Sequence, residues 1–325
     1  MLAAVADTYG PPEVVHLAQR PTPEPGPGHI RVRVSATTVG ASDSAFRRGS
    51  PWVARLFSGP IRPRIRVLGF DFAGTVDAVG PGVTRFAPGD RVYGTTGAAS
   101  GAHAEAVVIR ADGAVQPVPA GVADTEAAAL VDGFLTALPF LRDVCRVRRG
   151  DRVLVNGASG TVGSAAVQLA RWMGAEVTAV TSTLNLELVR GLGAAHVVDY
   201  TAERFADARE AYDVIFDAVG KVSFARVRRA LTPHGVYAST VPSVGLIAAI
   251  AWTRVRRGRR AAIAFTGLRA DASKRTDLER LDSLVTAGAL VPVIDRTVPF
   301  AQIAEAHARV DSGRKAGAVV VRVSA

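Results

Sequence analysis

The sequence predicts an α/β protein with two domains, one β-rich and the other built on a doubly wound parallel sheet. Its length of 325 residues suits about two domains, and 48% apolar with 21% charged residues is typical of a globular chain. Before about residue 120, short strand patterns alternate with Gly- and Pro-rich turns. After that point, strands and helices alternate as in βαβ units, which form parallel sheets.

The first part of the chain contains short strand patterns. Residues 21–28 form a stiff Pro-rich turn, and residues 30–35 then alternate apolar and polar side chains as a half-buried strand does. Further strands are predicted over residues 69–80, 90–93 and 103–110. Because Gly-rich turns separate them, we predict a small, irregular β domain.

From Asp124 onward the pattern changes to helices and strands in alternation. Asp124 is a suitable N-cap residue for a helix over the Ala-rich stretch 125–144. Strands are then predicted over residues 151–156, 176–181, 196–199, 213–217 and 235–239, with helices over 162–173, 184–192 and 224–231. Helices over 276–287 and 303–310 and a strand over 318–323 complete the pattern.

Composition limits the class of protein. The single cysteine, Cys145, excludes an intrachain disulfide and a structural zinc site made of several thiolates. The formal net charge of +10 favours anionic partners such as phosphates, acidic lipids or nucleic acid. Residues 1–6 are too short for a signal peptide, since Asp7 follows, and the longest apolar run, 244–252, is too short for a membrane span. We therefore expect a cytoplasmic protein.

The strongest functional signal is a glycine-rich turn at residues 153–163. An apolar strand leads into Gly157, Gly160 and Gly163, and a helix pattern follows. Small residues there let backbone amides approach a pyrophosphate at the positive end of the helix. The alternative is a tight turn without a ligand, but strand, turn and helix occur in the required order and more βα units follow. The motif therefore predicts a Rossmann-type dinucleotide site.

The end of the second strand indicates which dinucleotide is bound. NAD-specific sites usually place Asp or Glu there to hold the ribose diol. Residues 177–185 contain no carboxylate and offer hydroxyl and amide donors, among them Ser182 and Asn185. This favours NADPH. A neutral loop without selectivity is the alternative, because the stretch also lacks the Arg or Lys that often binds a 2′-phosphate.

With these residues placed, the sequence resembles the quinone oxidoreductase-like branch of the medium-chain dehydrogenase/reductases over nearly its whole length. The motifs that carry the resemblance are the glycine turn and residues 9–14, 69–76, 88–94, 135–138, 192–194, 198–200 and 313–317. The resemblance implies a GroES-like catalytic domain from residues 1–120 and 270–325 and a Rossmann NADP-binding domain from residues 121–269. It also implies an active site in the cleft between them and a homodimer.

The resemblance further implies which residues bind the cofactor. These are Thr136 beside the nicotinamide, Ser159, Gly160, Thr161 and Val162 at the pyrophosphate, Ser182 and Asn185 near the 2′-phosphate, Tyr200 beside the adenosine end, and Val219 and Val241 after later strands that line the groove.

Several positions depart from the family pattern. Zinc-dependent relatives carry Gly-His-Glu where residues 69–71 read Gly-Phe-Asp, and they carry a Cys near the position of Gly40. The resemblance therefore implies that no catalytic zinc is bound. Zinc-free relatives often have Asn at Gly40, Tyr at Ala45 and Lys at Asn185, so the pattern identifies no catalytic acid.

The missing zinc ligands point to a reaction type. Alcohol oxidation needs a Lewis acid or a base to stabilise the alkoxide, whereas hydride transfer to a quinone or to the β-carbon of an enone relies mainly on the cofactor, on alignment and on a dry cleft. We therefore expect an NADPH-dependent reductase of quinones or α,β-unsaturated carbonyls; an enoyl-thioester reductase differs only in substrate and stays open.

Tyr93 is a candidate proton donor and Asp43 a candidate polar group of the cleft. Strand-end packing of Tyr93 and turn capping by Asp43 are the structural alternatives.

Three other polar residues are interpreted as structural. His103 and His307 lack a paired nucleophile or a set of metal ligands nearby in the sequence. Ser159 is not a nucleophile, because no Gly-x-Ser-x-Gly frame surrounds it.

Five arginines lie between Arg254 and Arg260, directly after the apolar run 244–252. Such a pair of features suits an anionic membrane surface or nucleic acid. A solvated helix–loop at the active-site mouth is favoured over both, because stacking aromatics are lacking.

A second function class stays open, an NADPH-binding sensor with low turnover or an RNA-binding protein. Salt-sensitive RNA binding would favour it, and saturable NADPH oxidation by an enone would favour the enzyme.

Overall fold

The computed structural model describes residues 1–50, 55 and 58–324, which form two compact units. One unit comprises Met1–Asp132 with Gly267–Ala325, and the other comprises Gly133–Thr266. The first unit is thus assembled from two separate parts of the sequence. The limits predicted for the domains, 1–120 with 270–325 and 121–269, stay a prediction.

The N-terminal part of the first unit consists mainly of antiparallel strands. They are β1 (Leu2–Ala6), β2 (Val15–Gln19), β3 (His29–Val39), β4 (Asp71–Val79), β5 (Arg91–Thr95), β6 (Ala106–Arg110) and β7 (Val115–Pro117). Helix α1 (Ala41–Arg48) follows β3, and helix α2 (Asp124–Pro139) follows β7. β1 and β2 pair with each other in a separate two-stranded sheet. The sequence patterns predict β3 to β6 but not β1, β2, β7 or α1.

The second unit is a six-stranded parallel sheet. Its strands are β8 (Arg152–Asn156), β9 (Glu176–Thr181), β10 (His196–Asp199), β11 (Tyr212–Asp217), β12 (Leu231–Ser239) and β13 (Arg260–Ala262). Helices α3 (Thr161–Trp172), α4 (Leu186–Gly191), α5 (Phe224–Val227) and α6 (Val244–Arg254) alternate with them. The strand order β10-β9-β8-β11-β12-β13 is that of a doubly wound sheet. The predicted fold class is therefore confirmed.

The chain then returns to the first unit through helix α7 (Asp271–Thr286), strand β14 (Ile294–Pro299), helix α8 (Ile303–Asp311) and strand β15 (Ala318–Arg322). β15 pairs antiparallel with β3, with Val319 opposite Val39. The seven-stranded sheet of this unit has the order β14-β15-β3-β4-β5-β7, and β6 pairs with β3.

The cores explain why these segments form strands. Val153, Leu154 and Val155 are fully buried, as expected where helices cover both faces of a parallel sheet. Cys145 is also buried, and burial raises the pKa of its thiol to about 12. Among the described residues, no helix is long and apolar enough to cross a membrane.

Three sequence predictions of local structure need correction. The helix predicted over 125–144 is α-helical only to Pro139 and continues as a π-helical turn, Phe140–Cys145; proline lacks the N–H that the regular ladder requires. The helix predicted over 224–231 ends at Val227 because Leu231 begins β12 opposite Tyr212. The predicted helix–loop at 254–260 ends in β13, since Arg260 pairs with Val236.

Candidate functional site

The glycine turn lies at the carboxyl end of β8, where α3 begins. Gly157 has a φ of +79°, and Gly160 is the N-cap residue of α3 with no side-chain cap. A Cβ on Gly163 would overlap the Gly157 carbonyl oxygen and lie 2.9 Å from Ala158 Cα. The turn is thus tight, and the helix N-terminus is not covered by a capping side chain. This arrangement fits the pyrophosphate of a dinucleotide.

Three of the predicted cofactor-binding side chains meet beside this turn. Thr181 Oγ1 donates to Ser159 Oγ at 2.9 Å, and Asn185 Nδ2 donates to the same oxygen at 3.2 Å. Asn185 Nδ2 also lies 3.4 Å from Ser182 Oγ. The predicted 2′-phosphate residues therefore adjoin a predicted pyrophosphate residue at the ends of β8 and β9. The hydrogen-bonding groups of this cluster are hydroxyls and an amide.

Val219 and Val241 follow β11 and β12 and are partly exposed, at 39% and 41%. A Cβ on Gly157 would overlap Val219, and one on Gly220 would lie 2.8 Å from Val241 Cγ2. Both valines therefore pack against glycines at the carboxyl edge of the sheet. They give this edge an apolar wall.

The remaining predicted residues lie on three different elements. Thr161 and Val162 are the first residues of α3. Tyr200 follows β10, is 60% exposed and donates its N–H to Thr181 O at 3.0 Å. Thr136 lies in α2, one turn after Gly133, whose backbone packs against Thr161 O.

Asp217, which the sequence patterns do not identify as a functional residue, organises the loop after β11. Its fully buried carboxylate accepts hydrogen bonds from Asn156 Nδ2 and the Val219 N–H, both at 2.9 Å. The Gly220 N–H donates at 3.0 Å, and the Tyr237 hydroxyl lies 2.9 Å from Asp217 Oδ2 and 2.6 Å from Val222 O, so these two acceptors share its one proton. Three N–H donors thus hold one carboxylate, which fixes the loop that carries Val219. An Asp at the end of an otherwise apolar strand is the signal that could have revealed it.

In the first unit, Asp43 caps the start of α1. Its carboxylate accepts the Gly40 N–H at 2.8 Å and the Gly69 N–H at 2.9 Å. Burial raises the pKa of Asp43, and the His103 charge and these two hydrogen bonds oppose the rise. Both carboxylate oxygens of Asp43 therefore accept hydrogen bonds from backbone N–H groups. This agrees with the turn-capping role that is the structural alternative for Asp43.

Two further carboxylates, which the sequence patterns do not identify, lie in the same unit and interact with each other. A Cβ on Gly40 would lie 3.6 Å from Asp43 Oδ2 and 3.8 Å from Asp132 Oδ2. Asp71 is buried and accepts a hydrogen bond from Thr38 Oγ1 at 3.2 Å. Burial, together with the charges of Asp132 and Asp43, raises the pKa of Asp71 well above its usual range. Asp132 itself is half-buried.

Replacing Asp71 with Asn is expected to stabilise the protein at alkaline pH. A carboxyl group with a raised folded-state pKa stabilises the fold while protonated, and this contribution is lost as pH rises through that pKa. Asp71→Asn should therefore raise the free energy of unfolding by about 1–3 kcal/mol at about pH 8 and by less at about pH 5. Urea unfolding at both pH values measures this. Asp77→Asn is the control, because Asp77 is an exposed residue of the same strand whose carboxylate already pairs with Arg31; equal gains from both variants would contradict the prediction.

Tyr93 is buried in β5, and its hydroxyl donates to Asp282 Oδ1 at 2.5 Å. Burial and the Asp282 charge raise the pKa of Tyr93, and burial raises the pKa of Asp282 to about 6. The phenol proton of Tyr93 is thus donated to Asp282 within the first unit. This agrees with the structural role of Tyr93 in strand packing rather than with a proton donor.

His103 and His307 lie in a buried pair with ring centroids 5.6 Å apart. His103 contacts Thr38 O through Nε2 at 2.9 Å, whereas both ring nitrogens of His307 are buried without a hydrogen-bond partner. Burial, followed by the His103 and Arg47 charges, lowers the pKa of His307 to about 2. His307 is therefore neutral, which agrees with a structural role.

The described residues contain no group of three or more His, Cys, Asp or Glu side chains arranged to hold a metal ion. Gly40 and Phe70, at the positions where zinc-dependent relatives carry ligands, have no donor atoms in their side chains.

Comparison with known proteins agrees with this architecture. The family model for an alcohol dehydrogenase GroES-like domain matches residues 26–120, and that for a zinc-binding dehydrogenase matches residues 192–321. A 2-haloacrylate reductase from a Burkholderia species is 30% identical over 99% of this chain and 98% of its own length. The structure of the Coxiella burnetii quinone oxidoreductase matches 100% of this chain and 99% of that chain, with a TM-score of 0.87 and 28% identity. A quinone oxidoreductase from Pseudomonas syringae pv. Tomato has a TM-score of 0.87 and 26% identity, covering 99% of this chain and 100% of that chain.

The fold and the glycine-turn site thus define a nicotinamide-dependent oxidoreductase of small molecules. The chain belongs to the medium-chain dehydrogenase/reductase superfamily, as its motifs predict, and its structural neighbours include quinone oxidoreductases.

Proposed function

We propose that this protein is an NADPH-dependent reductase that transfers hydride to quinones or α,β-unsaturated carbonyls without zinc. The observation that carries the proposal is the uncharged cluster of Ser159, Ser182 and Asn185 beside the glycine turn. It offers hydroxyl and amide donors where an NAD-specific site would place a carboxylate. The names of the relatives support the acceptor class, because a 2-haloacrylate is an activated alkene and the structural neighbours include quinone oxidoreductases.

We propose a mechanism without zinc because this chain lacks side chains that could bind the metal at two of the expected positions. Catalytic zinc needs three protein ligands, usually His, Cys or carboxylate. Gly40 and Phe70 supply none at the positions where zinc-dependent relatives carry them. An activated acceptor needs less electrophilic assistance than a simple ketone, so hydride transfer without a metal is chemically consistent.

The residues of the second unit bind and orient the cofactor, which supplies the hydride when bound. Residues 159–162 would hold the pyrophosphate at the start of α3, and Ser182 and Asn185 would hold the 2′-phosphate. Val219 and Val241 would exclude water along the groove, and Thr136 would lie by the nicotinamide. Asp217 acts indirectly, as a positioning residue for the loop that carries Val219.

The proton that completes the reduction is expected to come from water. Tyr93 and Asp43, the candidates from the sequence, have their polar atoms engaged by Asp282 and by backbone groups. Tyr93→Phe is therefore expected to retain turnover. Loss of turnover in Tyr93→Phe alone would return the role to Tyr93.

The direct test is NADPH consumption, followed by absorbance, against a naphthoquinone, an alkenal, an enoyl thioester and a simple ketone. We expect saturable turnover with the quinone or the alkenal and little with the ketone. Preference for the thioester would narrow the acceptor to the enoyl-thioester alternative. If the protein binds NADPH by fluorescence but reduces none of the four, the low-turnover sensor replaces the enzyme; salt-sensitive RNA retention would favour the RNA-binding alternative.

Ser182→Asp is expected to reverse the cofactor preference. A carboxylate at the end of β9 would repel the 2′-phosphate of NADPH and accept hydrogen bonds from the ribose diol of NADH. We expect the ratio of kcat/KM for NADPH to that for NADH to fall by about 10- to 100-fold, which steady-state kinetics measures. Thr183→Asp, one residue further along, is the matched control. An unchanged ratio in Ser182→Asp would remove this cluster from 2′-phosphate recognition.

The protein is expected to be a homodimer located in the cytoplasm. The family resemblance supports a homodimer, and the single buried Cys145 is consistent with a reducing, cytoplasmic environment. Sedimentation velocity tests the oligomeric state.

A further inference from the structure

Helix α6 presents an apolar face to solvent. Val244, Ile247, Ala251 and Val255 recur at helical spacing, and Val244, Ile247 and Val255 are 86%, 60% and 84% exposed. The opposite face is the one that packs on the sheet, because Leu246 is buried there in a core cluster. Helices on the surface of a globular protein normally turn polar residues outward, so the outward face of α6 is exceptional.

Positive charge is concentrated around the same helix. Residues 218–270 contain ten Lys and Arg residues and no Asp or Glu, so the rest of the chain has equal numbers of basic and acidic residues. The whole surplus of +10 therefore lies in this stretch. Arg254, Arg256 and Arg257 follow the apolar face directly and are exposed.

The aromatic residue of α6 sits between the two features. Trp252 is 38% exposed, and the guanidinium groups of Arg228 and Arg256 lie 5.2 Å and 4.9 Å from its ring centroid. An indole of this kind suits a membrane interface, where an apolar ring adjoins a charged, wet layer. The surface thus combines exposed aliphatic side chains, a tryptophan and arginines.

We propose that the outward face of α6 and the arginines after it form a docking surface for an anionic phospholipid bilayer. The aliphatic side chains would enter the boundary between headgroups and acyl chains, and the arginines would contact lipid phosphates and carboxylates. The helix lies on the membrane and does not span it, in agreement with its length of 11 residues. This inference stands whichever acceptor the enzyme reduces.

Charge favours a bilayer over the two other occupants. A second copy of this chain, docked through the same face about a two-fold axis, would bring the arginine groups of both copies together. Nucleic acid would satisfy the arginines but not Val244 and Ile247. The Trp252 ring, which a base would need for stacking, already has two arginines over it. An anionic bilayer satisfies both the apolar and the basic groups.

Co-sedimentation of the full chain with vesicles tests the proposal. We expect binding to phosphatidylcholine vesicles that contain phosphatidylserine, much weaker binding to phosphatidylcholine alone, and loss of binding at high salt. Arg254→Gln/Arg257→Gln should weaken the partition coefficient roughly 30-fold, since each basic residue near such a surface contributes about fivefold. Val244→Ser/Ile247→Ser should weaken it at least about tenfold by removing apolar contact.

Arg204→Gln/Arg209→Gln is the matched control, because it removes the same charge from exposed positions of the same unit. NADPH binding by fluorescence checks that each variant is folded. An equal loss of vesicle binding in the control would show that only the net charge of the protein matters, and it would overturn the proposal. It is also overturned if the wild-type protein does not sediment with anionic vesicles, if it binds RNA instead, or if Val244→Ser/Ile247→Ser only dissociates a dimer.

Discussion

Replacing Gly163 with alanine is expected to abolish tight cofactor binding and to lower stability. The new Cβ would overlap the Gly157 carbonyl oxygen and lie 2.7 Å from the Gly157 carbonyl carbon and 2.9 Å from Ala158 Cα. All three are backbone atoms, so the turn must open rather than a side chain rotate. Overpacking of this kind costs about 1–3 kcal/mol. Because the amides that we propose to meet the pyrophosphate would move with the turn, we expect the Kd for NADPH to rise at least about 100-fold.

Fluorescence titration with NADPH and thermal unfolding measure the two effects. Gly191→Ala is the matched control, since its Cβ would have no atom within 4 Å and its site lies in α4. That variant should bind NADPH normally and gain up to about 1 kcal/mol, the difference in helix propensity between Gly and Ala. Normal binding and stability in Gly163→Ala would show that the turn does not need the close approach.

Replacing Asp217 with alanine is expected to destabilise the second unit strongly. It would leave three N–H donors without their acceptor, those of Asn156, Val219 and Gly220, and would remove one of the two acceptors beside the Tyr237 hydroxyl. Loss of a buried, hydrogen-bonded charge costs about 3–5 kcal/mol. The loop with Val219 would also lose its anchor, so NADPH binding should weaken. Denaturant unfolding and titration of the same preparation measure both quantities.

Two variants separate the charge from the shape of Asp217. Asp217→Asn keeps the volume, and its amide can donate to the Tyr237 hydroxyl, which already donates to Val222 O at 2.6 Å. We expect it to cost about 1–2 kcal/mol, and Tyr237→Phe, which removes one donor, to cost about 1 kcal/mol. If Asp217→Asn is as damaging as Asp217→Ala, the negative charge itself carries the effect.

Local signals explain what the sequence predicts well. The run from β8 through the glycine turn into α3 combines an apolar strand, small turn residues and a helix pattern, so neighbouring residues determine each element. The predicted binding residues Ser159, Ser182 and Asn185 meet because parallel strands all end at one edge of the sheet. Their contact follows from topology once the βα alternation is recognised.

Contacts between distant residues explain what the sequence does not predict. Asp71 and Asp132 are 61 positions apart, and only the folded chain reveals that their charges interact. β13 has three residues and forms only through pairing with β12, so its own pattern is too short to indicate a strand. Leu231 likewise has a good helix propensity, but it belongs to β12 because it pairs with Tyr212.

The pairing of β15 with β3 has a consequence for biosynthesis. The second unit is contiguous, Gly133–Thr266, and all of its strand partners have left the ribosome once residue 266 is exposed. The sheet of the first unit must wait for β15, whose Val319 pairs with Val39, so its closure is a late event of high contact order. Domains generally fold as units during synthesis. The nascent chain should therefore acquire a folded dinucleotide-binding unit while the first unit is still an open sheet with unpaired edges, which makes that half the one in need of chaperone protection.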